Sequence, residues 1–263
     1  MCGIAGYSLA PSSPLERTLA AQALLAGIAE RGADAVGYAY RSPGEGISVH
    51  KQRSGASALL DQVTVPSDAT EVLVHVRDYT KGHPTIAANN HPVRHGAVVG
   101  IHNGIIVNDD ELLAAHDCAR REPGMTVDSE AIFAVAAHSR SDAAALEALR
   151  GSMAAAWIDE RREQSLVLAR GVGRPLWLGV TDGATFFAST KPALEVVEGT
   201  LGLKLKKREL DEGTLVELQN GRQVAEARFT PDHGFEEAPL PSVRAPNEGM
   251  FCLKRLALLV AAH

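Results

Sequence analysis

The sequence predicts a layered α+β fold, and three observations carry it. Short β-like runs open the chain, helix-like runs follow in the middle, and a dense series of short β-like runs then occupies 152 to 229. That order favours packed sheets with helices on their outer faces over alternating βαβ units. The 263 residues are 45% hydrophobic, enough for a sizeable core in one large domain. Turn-forming Gly, Asp, Asn and Arg separate the late runs, as short antiparallel strands require.

Each element has its own local reason. Cys2 to Leu9 is small and apolar and stops at Pro11-Ser12-Ser13-Pro14, a buried strand. Leu19, Ala20, Leu24, Leu25 and Ile28 recur at helical spacing, which predicts a helix from Leu15 to Glu30 that ends at Arg31-Gly32. Val36 to Tyr40 and Ile47 to Lys51 flank Pro43-Gly44-Glu45-Gly46 as a hairpin. Glu71 to Val76 and Ala97 to Ile101 read as strands, and polar Lys81 to Asn90 between them as a loop long enough to suggest function. Asp109 to His116, Asp128 to His138 and Asp142 to Arg150 read as helices, with Asp128 and Asp142 placed as N-caps. Ser152 to Ile158, Leu166 to Ala169, Pro175 to Val180, Thr185 to Ala188, Thr214 to Leu218 and Gln223 to Phe229 complete the strands. Pro231 to Glu248 has the composition of a surface linker. A last helix carries Leu253, Leu256, Leu259 and Val260, and docking on its own domain is its simplest role.

The formal net charge of -6 and pI near 5.9 give no electrostatic reason to expect nucleic acid or an anionic membrane as partner. No apolar stretch approaches the roughly 18 to 20 residues that span a bilayer, and the N-terminus lacks a basic region followed by an apolar core. A cytoplasmic protein is the expectation. Three cysteines at 2, 118 and 252 form no close pair, so reduced thiols are expected rather than disulfides or a zinc site. Five of the ten histidines lie between His75 and His102, but Pro-Val-Arg between His91 and His95 is unlike a metal-binding helical pair. No metal and no cofactor are expected. Gly171 to Pro175 reads as a turn rather than a phosphate loop.

Cys2 carries the chemistry. Initiator methionine is usually trimmed before a small residue, which would leave Cys2 as the chain terminus. A terminal cysteine holds a thiol and a free α-amine of reference pKa about 8, so the amine can act as general base for its own nucleophile. Gly3 leaves the backbone open to a substrate, and the strand behind it holds the terminus fixed.

Further stretches raise that reading: "RGADAVG" (31–37), "HVRDYTKG" (75–82), "NNHPV" (89–93), "GIHNGIIVN" (100–108) and "VDSE" (127–130) follow "MCGIAGY" in order. Together they closely resemble the glutaminase domain of class II glutamine amidotransferases, which are N-terminal nucleophile hydrolases. "GRPLWLGV", "FFAST" and "LDEGTLVEL" resemble that domain's closing strands, so the likeness covers about 2–230, with 231–263 left as linker and helical tail. The resemblance implies a four-layer αββα sandwich of two mostly antiparallel sheets. It implies L-glutamine as substrate, attack by Cys2 on its side-chain amide, and a γ-glutamyl thioester that water hydrolyses to glutamate. Asn103 and Gly104 match the oxyanion donors, and one well-aimed donor is worth about 3 to 4 kcal/mol. Without that context Asn-Gly is also the commonest short hairpin turn. Arg77 and Thr80 match the residues that grip the substrate carboxylate, and Asp128 the one that receives its ammonium.

Two positions depart from the family pattern. Asp78 stands where a Trp is common and Lys81 where a His is. Asp78 is placed to draw the Arg77 guanidinium away from substrate, and loss of the Trp removes a gate for ammonia. With no acceptor site recognisable, ammonia would be released or passed to a separate acceptor protein, with the last helix as its docking point. A silent binding or regulatory module of the same fold, and an amidohydrolase for another amide, are the competing readings.

Overall fold

The computed structural model describes residues 2–237 and 241–262. Met1, whose removal is expected, and positions 238–240 of the expected linker lie outside the described residues. Among the described residues, thirteen strands form two antiparallel sheets. The first sheet orders β11 (Lys206–Glu209), β9 (Trp177–Thr181), β10 (Ala184–Ala188), β1 (Gly3–Leu9), β4 (Glu71–Arg77), β2 (Ala35–Arg41) and β3 (Ile47–Gln52). The second orders β13 (Arg222–Arg228), β12 (Thr214–Gln219), β8 (Ser165–Arg170), β7 (Gly151–Asp159), β6 (Val98–Ile106) and β5 (Val93–His95). Helices α1 (Arg17–Ile28), α2 (Ala56–Leu59), α5 (Lys191–Leu201) and α6 (Pro246–Ala262) lie outside the first sheet; α3 (Asp109–Ala115) and α4 (Ser129–Ser139) lie outside the second. The result is the αββα sandwich of the N-terminal nucleophile hydrolases.

Three apolar clusters fill the spaces between layers. Tyr7, Leu9, Val72 and Val74 meet Leu24, Leu25 and Ile28 of α1, Leu194 of α5, and Cys252 and Leu256 of α6. Trp157 and Val167 meet Ile132, Phe133 and Val135 of α4. Ile4, Leu73, Val99, Ile101, Ala154 and Leu168 pack between the sheets. Central β1 is buried along its whole length and is sandwiched closely: a Cβ at Gly6 would run into the Val72 carbonyl and the Phe187 ring, so only glycine fits there.

Several expectations are corrected. β6 does not stop at Ile101 but runs through Asn103 and Gly104, because both pair with β7 as Ala154 and Met153 partners; no hairpin turn forms at Asn-Gly. Asp142 to Arg150 contains a 3-10 turn at Ala144–Ala148 rather than an α-helix, with the Asp142 carboxylate accepting from Ala144 N at 3.2 Å. The β-rich half contains α5, whose amphipathic face covers α1. α2, β5 and β11 were not foreseen; each is only three or four residues long, too short for periodicity to register.

Candidate active site

Strand alternation decides which side chains meet. On β1, Ala5, Tyr7 and Leu9 face the helices, so Ile4, and Cys2 by the same period of two, face the second sheet. On β4, Val72, Val74 and Val76 face the helices, which turns Leu73, His75 and Arg77 toward the second sheet. On β6, Val98 and Ile106 face α4, which turns Val99, Ile101 and Asn103 back toward the first. Gly3 pairs with Val76, which sets Cys2 beside Arg77. His75 Nε2 crosses the gap and donates to the His102 carbonyl at 3.1 Å, one residue before Asn103. The nucleophile candidate, Arg77 and Asn103 therefore share one end of the inter-sheet layer.

Cys2 is half-buried, its thiol 3.5 Å from the Asp78 carbonyl oxygen. Burial raises its pKa, while the Asp78 backbone and the Arg77 guanidinium pull it back. Arg31 Nε donates to Cys2 O at 3.4 Å, and the Asp34 carboxylate accepts from Tyr79 N at 2.9 Å. These two residues of "RGADAVG" thus hold Cys2 and the loop after β4.

Arg77 is buried and donates through Nη1 to Asn90 Oδ1 at 2.6 Å, and through Nη2 to the Lys81 carbonyl at 2.9 Å and the Gly82 carbonyl. Its charge acts on both the Cys2 thiol and the Asp128 carboxyl. The concern about Asp78 is corrected: Asp78 pairs with Arg244 Nε at 3.1 Å, and Arg77 turns inward to Asn90. Lys81 is committed to Asp109, at 2.6 Å and 2.7 Å from its two oxygens. Thr80 lies exposed on the intervening turn.

Asn103 is fully buried, and neither its Oδ1 nor its Nδ2 has a partner among the described residues. An unpartnered buried carboxamide costs about 1 to 3 kcal/mol, so such atoms are rare in folded proteins and point to a ligand. Gly104 has φ 144°, and a Cβ there would run into the Ser152 carbonyl, so glycine is required. His102 holds this stretch from the other side: its Nε2 faces the Ser152 carbonyl at 3.4 Å and its Nδ1 the Ser129 hydroxyl at 2.9 Å.

Asp128 precedes α4, but its side chain does not cap the helix; Oδ2 accepts from Ile106 N at 2.7 Å. The capping expectation fails because the carboxylate is engaged by the strand N–H of Ile106 in β6 instead. Burial pushes its pKa up to about 6, against the Ile106 bond, with the Asp109 charge adding to the rise.

Sequence reasoning left the histidines of this end without a role. His75, His91 and His102 are buried, and burial holds His75 and His102 near pKa 3 and His91 well below its ordinary value, so all three are neutral. The His91 ring stacks on His75 at 4.2 Å between centroids. Their clustering between 75 and 102 was the visible signal.

The sheet architecture is the N-terminal nucleophile hydrolase fold, with Cys2 just ahead of the central strand β1. Residues 72–196 match the family described as "Glutamine amidotransferase domain". Glutamine–fructose-6-phosphate aminotransferase (isomerizing) of Thermus thermophilus is 34% identical over 205 residues, covering 74% of this chain and 32% of the relative. The enzyme of the same name from Escherichia coli is 31% identical over 211 residues, with the same shares. The chain thus spans about a third of the length of these relatives. Among solved structures, glutamine phosphoribosylpyrophosphate amidotransferase from B. subtilis, complexed with ADP and GMP, superposes with TM-score 0.67 at 20% identity, over 86% of this chain and 49% of that one. The chain carries a class II glutamine amidotransferase domain.

Proposed function

We propose that this domain hydrolyses glutamine to glutamate and ammonia through Cys2, with 2–230 as the catalytic body and 231–263 as linker and tail. Once Met1 is removed, the Cys2 α-amine accepts the thiol proton, and sulfur attacks the side-chain amide carbon. The oxygen of that carbon becomes an oxyanion held by the Asn103 carboxamide and the Gly104 N–H. The C–N bond breaks as the α-ammonium returns its proton to the leaving nitrogen, which departs as ammonia. Water, deprotonated by the same amine, then cleaves the thioester and releases glutamate. Arg77 and Thr80 receive the substrate α-carboxylate, and Asp128 its α-ammonium. Arg77 keeps N–H donors beyond its three bonds here, and ionised Asp128 has a second oxygen to offer.

The observation that carries this reading is the buried Asn103 carboxamide, without a hydrogen-bond partner among the described residues, facing the same inter-sheet end as Cys2 and Arg77. Buried donors without partners are what an oxyanion site needs before substrate arrives. No helix among the described residues is long and apolar enough to cross a membrane. We read the protein as cytoplasmic, with ammonia released or passed to a separate acceptor protein.

The test combines the intact mass of the purified chain, glutamate release from glutamine, and peptide mass after a glutamine-analogue electrophile. Removal of Met1, turnover, and label on Cys2 are expected, and Cys2→Ala should lower turnover by at least about 10⁴-fold while leaving the fold intact. Retained Met1, or full turnover by Cys2→Ala, would overturn the mechanism. A folded protein with Met1 removed and no turnover of glutamine would overturn the substrate.

A further inference from the structure

The C-terminal segment reaches the nucleophile by a short chain of contacts. The N–H groups of Arg244 and Ala245 both donate to the Glu30 carbonyl at 2.9 Å. That docks the entry to α6 on the turn carrying Arg31, whose Nε donates to the Cys2 carbonyl. The Arg244 side chain continues to Asp78, at 3.1 Å, and the Asp78 carbonyl is the group 3.5 Å from the Cys2 thiol.

We propose that Arg244 is a positioning residue for the nucleophile: through Asp78 it fixes the carbonyl that the Cys2 thiol touches and neutralises the carboxylate next to that thiol. The proposal rests on Cys2 being the nucleophile, as argued above. The charged groups acting on the thiol are Arg77 and Asp78 from the end of β4, the positive amino terminus of the chain, and Arg31 from the turn after α1. Arg77 favours the thiolate and the Asp78 carboxylate opposes it, so a cation on Asp78 shifts the balance toward the reactive form. Arg244 is 43% exposed and Asp78 20%, so solvent screens the pair and the electrostatic part of the effect is modest.

The experiment is alkylation of the full-length protein by iodoacetamide across pH, read by peptide mass on Cys2 with Cys118 as internal reference. Cys252 is a poor competitor, because burial pushes its pKa up to about 12. In Arg244→Gln the midpoint for Cys2 should move to higher pH, with alkylation about threefold slower at neutral pH. Arg244→Lys should restore the wild-type profile, and Asp78→Asn should move the midpoint the opposite way. Arg255→Gln, which breaks the α6 pair with Asp61, should superpose on wild type. A wild-type profile for Arg244→Gln, or an equal shift in Arg255→Gln, overturns the proposal. If Arg244→Gln does not fold, an Asp78→Asn profile that stays put does the same. Alkylation needs no glutamine, so failure here is distinct from failure of the glutaminase reading.

Discussion

Between the two sheets, one end of the layer is closed by aliphatic side chains and the other is left polar. Ile4, Leu73, Val99, Ile101, Ala154 and Leu168 interlock at the first. At the second stand His75 Nδ1, both ring nitrogens of His91 and both amide atoms of Asn103, all buried without a protein partner among the described residues. The same strands, β4 and β6, run through both ends. A single strand thus passes from well-packed core to atoms whose desolvation costs about 1 to 3 kcal/mol each. The contrast locates where this fold gives up stability, and in the proposed mechanism the polar end is held ready for a charge that forms only during reaction.

The contrast meets its severest trial at Asn103. Asn103→Leu should lower kcat by about 10² to 10³-fold. The same change should raise folding stability by on the order of 1 kcal/mol, because it removes a buried carboxamide with no partner and supplies apolar volume instead. Turnover and urea denaturation of one preparation measure both. A stability loss together with retained activity would show that the carboxamide is satisfied in the free protein and that the polar end is ordinary core.

Asp128 probes the polar end through pH. Its folded pKa of about 6 lies above the ordinary carboxylate value, so the folded state binds its proton more tightly than the unfolded state does. The resulting penalty is absent below about pH 4, grows up to about pH 6, and is full above it. Asp128→Asn keeps an acceptor for Ile106 N and should stabilise the protein at pH 7 by about 3 kcal/mol, with little gain at about pH 4. It should also raise the KM for glutamine by about 10- to 100-fold, since the ammonium loses its counter-charge. In the unsubstituted protein KM should rise as pH falls through about 6, when the carboxylate takes up its proton. A flat KM from about pH 5 to 8 would remove Asp128 from substrate binding.

These consequences trace back to how much of the molecule was legible in its sequence. Cys2, Arg77, Asn103 and Asp128 could be named as candidates because each sits in a short motif whose order along the chain carried the signal, and the hairpin at Pro43-Gly44 was readable from turn chemistry alone. The partners of Asp78 were not: Arg244 is 166 positions away, in a stretch whose composition reads only as linker. The cap role assigned to Asp128 failed for a related reason, since local pattern cannot show a competing strand N–H at Ile106. Helix α5 was missed although its signals are present, with Pro192 in the first turn and Gly202 at φ 65° ending it; the surrounding β-like runs outweighed them.

The smallest expected effect tests whether the two ends are separate at all. Ile101 lies two residues before Asn103, on the same face of β6, and belongs to the apolar end. Ile101→Val removes one buried methylene and should cost about 1 kcal/mol of stability. If rigidity at Asn103 comes from the hydrogen bonds around His102, namely those to Ser129, Ser152 and His75, then a small void two residues away leaves the oxyanion donors in place. Turnover should then stay within about twofold of wild type, because the polar network rather than local packing sets the donor geometry. A fall of tenfold or more would mean that aliphatic packing aims the carboxamide, and the two ends of the layer would have to be treated as one mechanical unit.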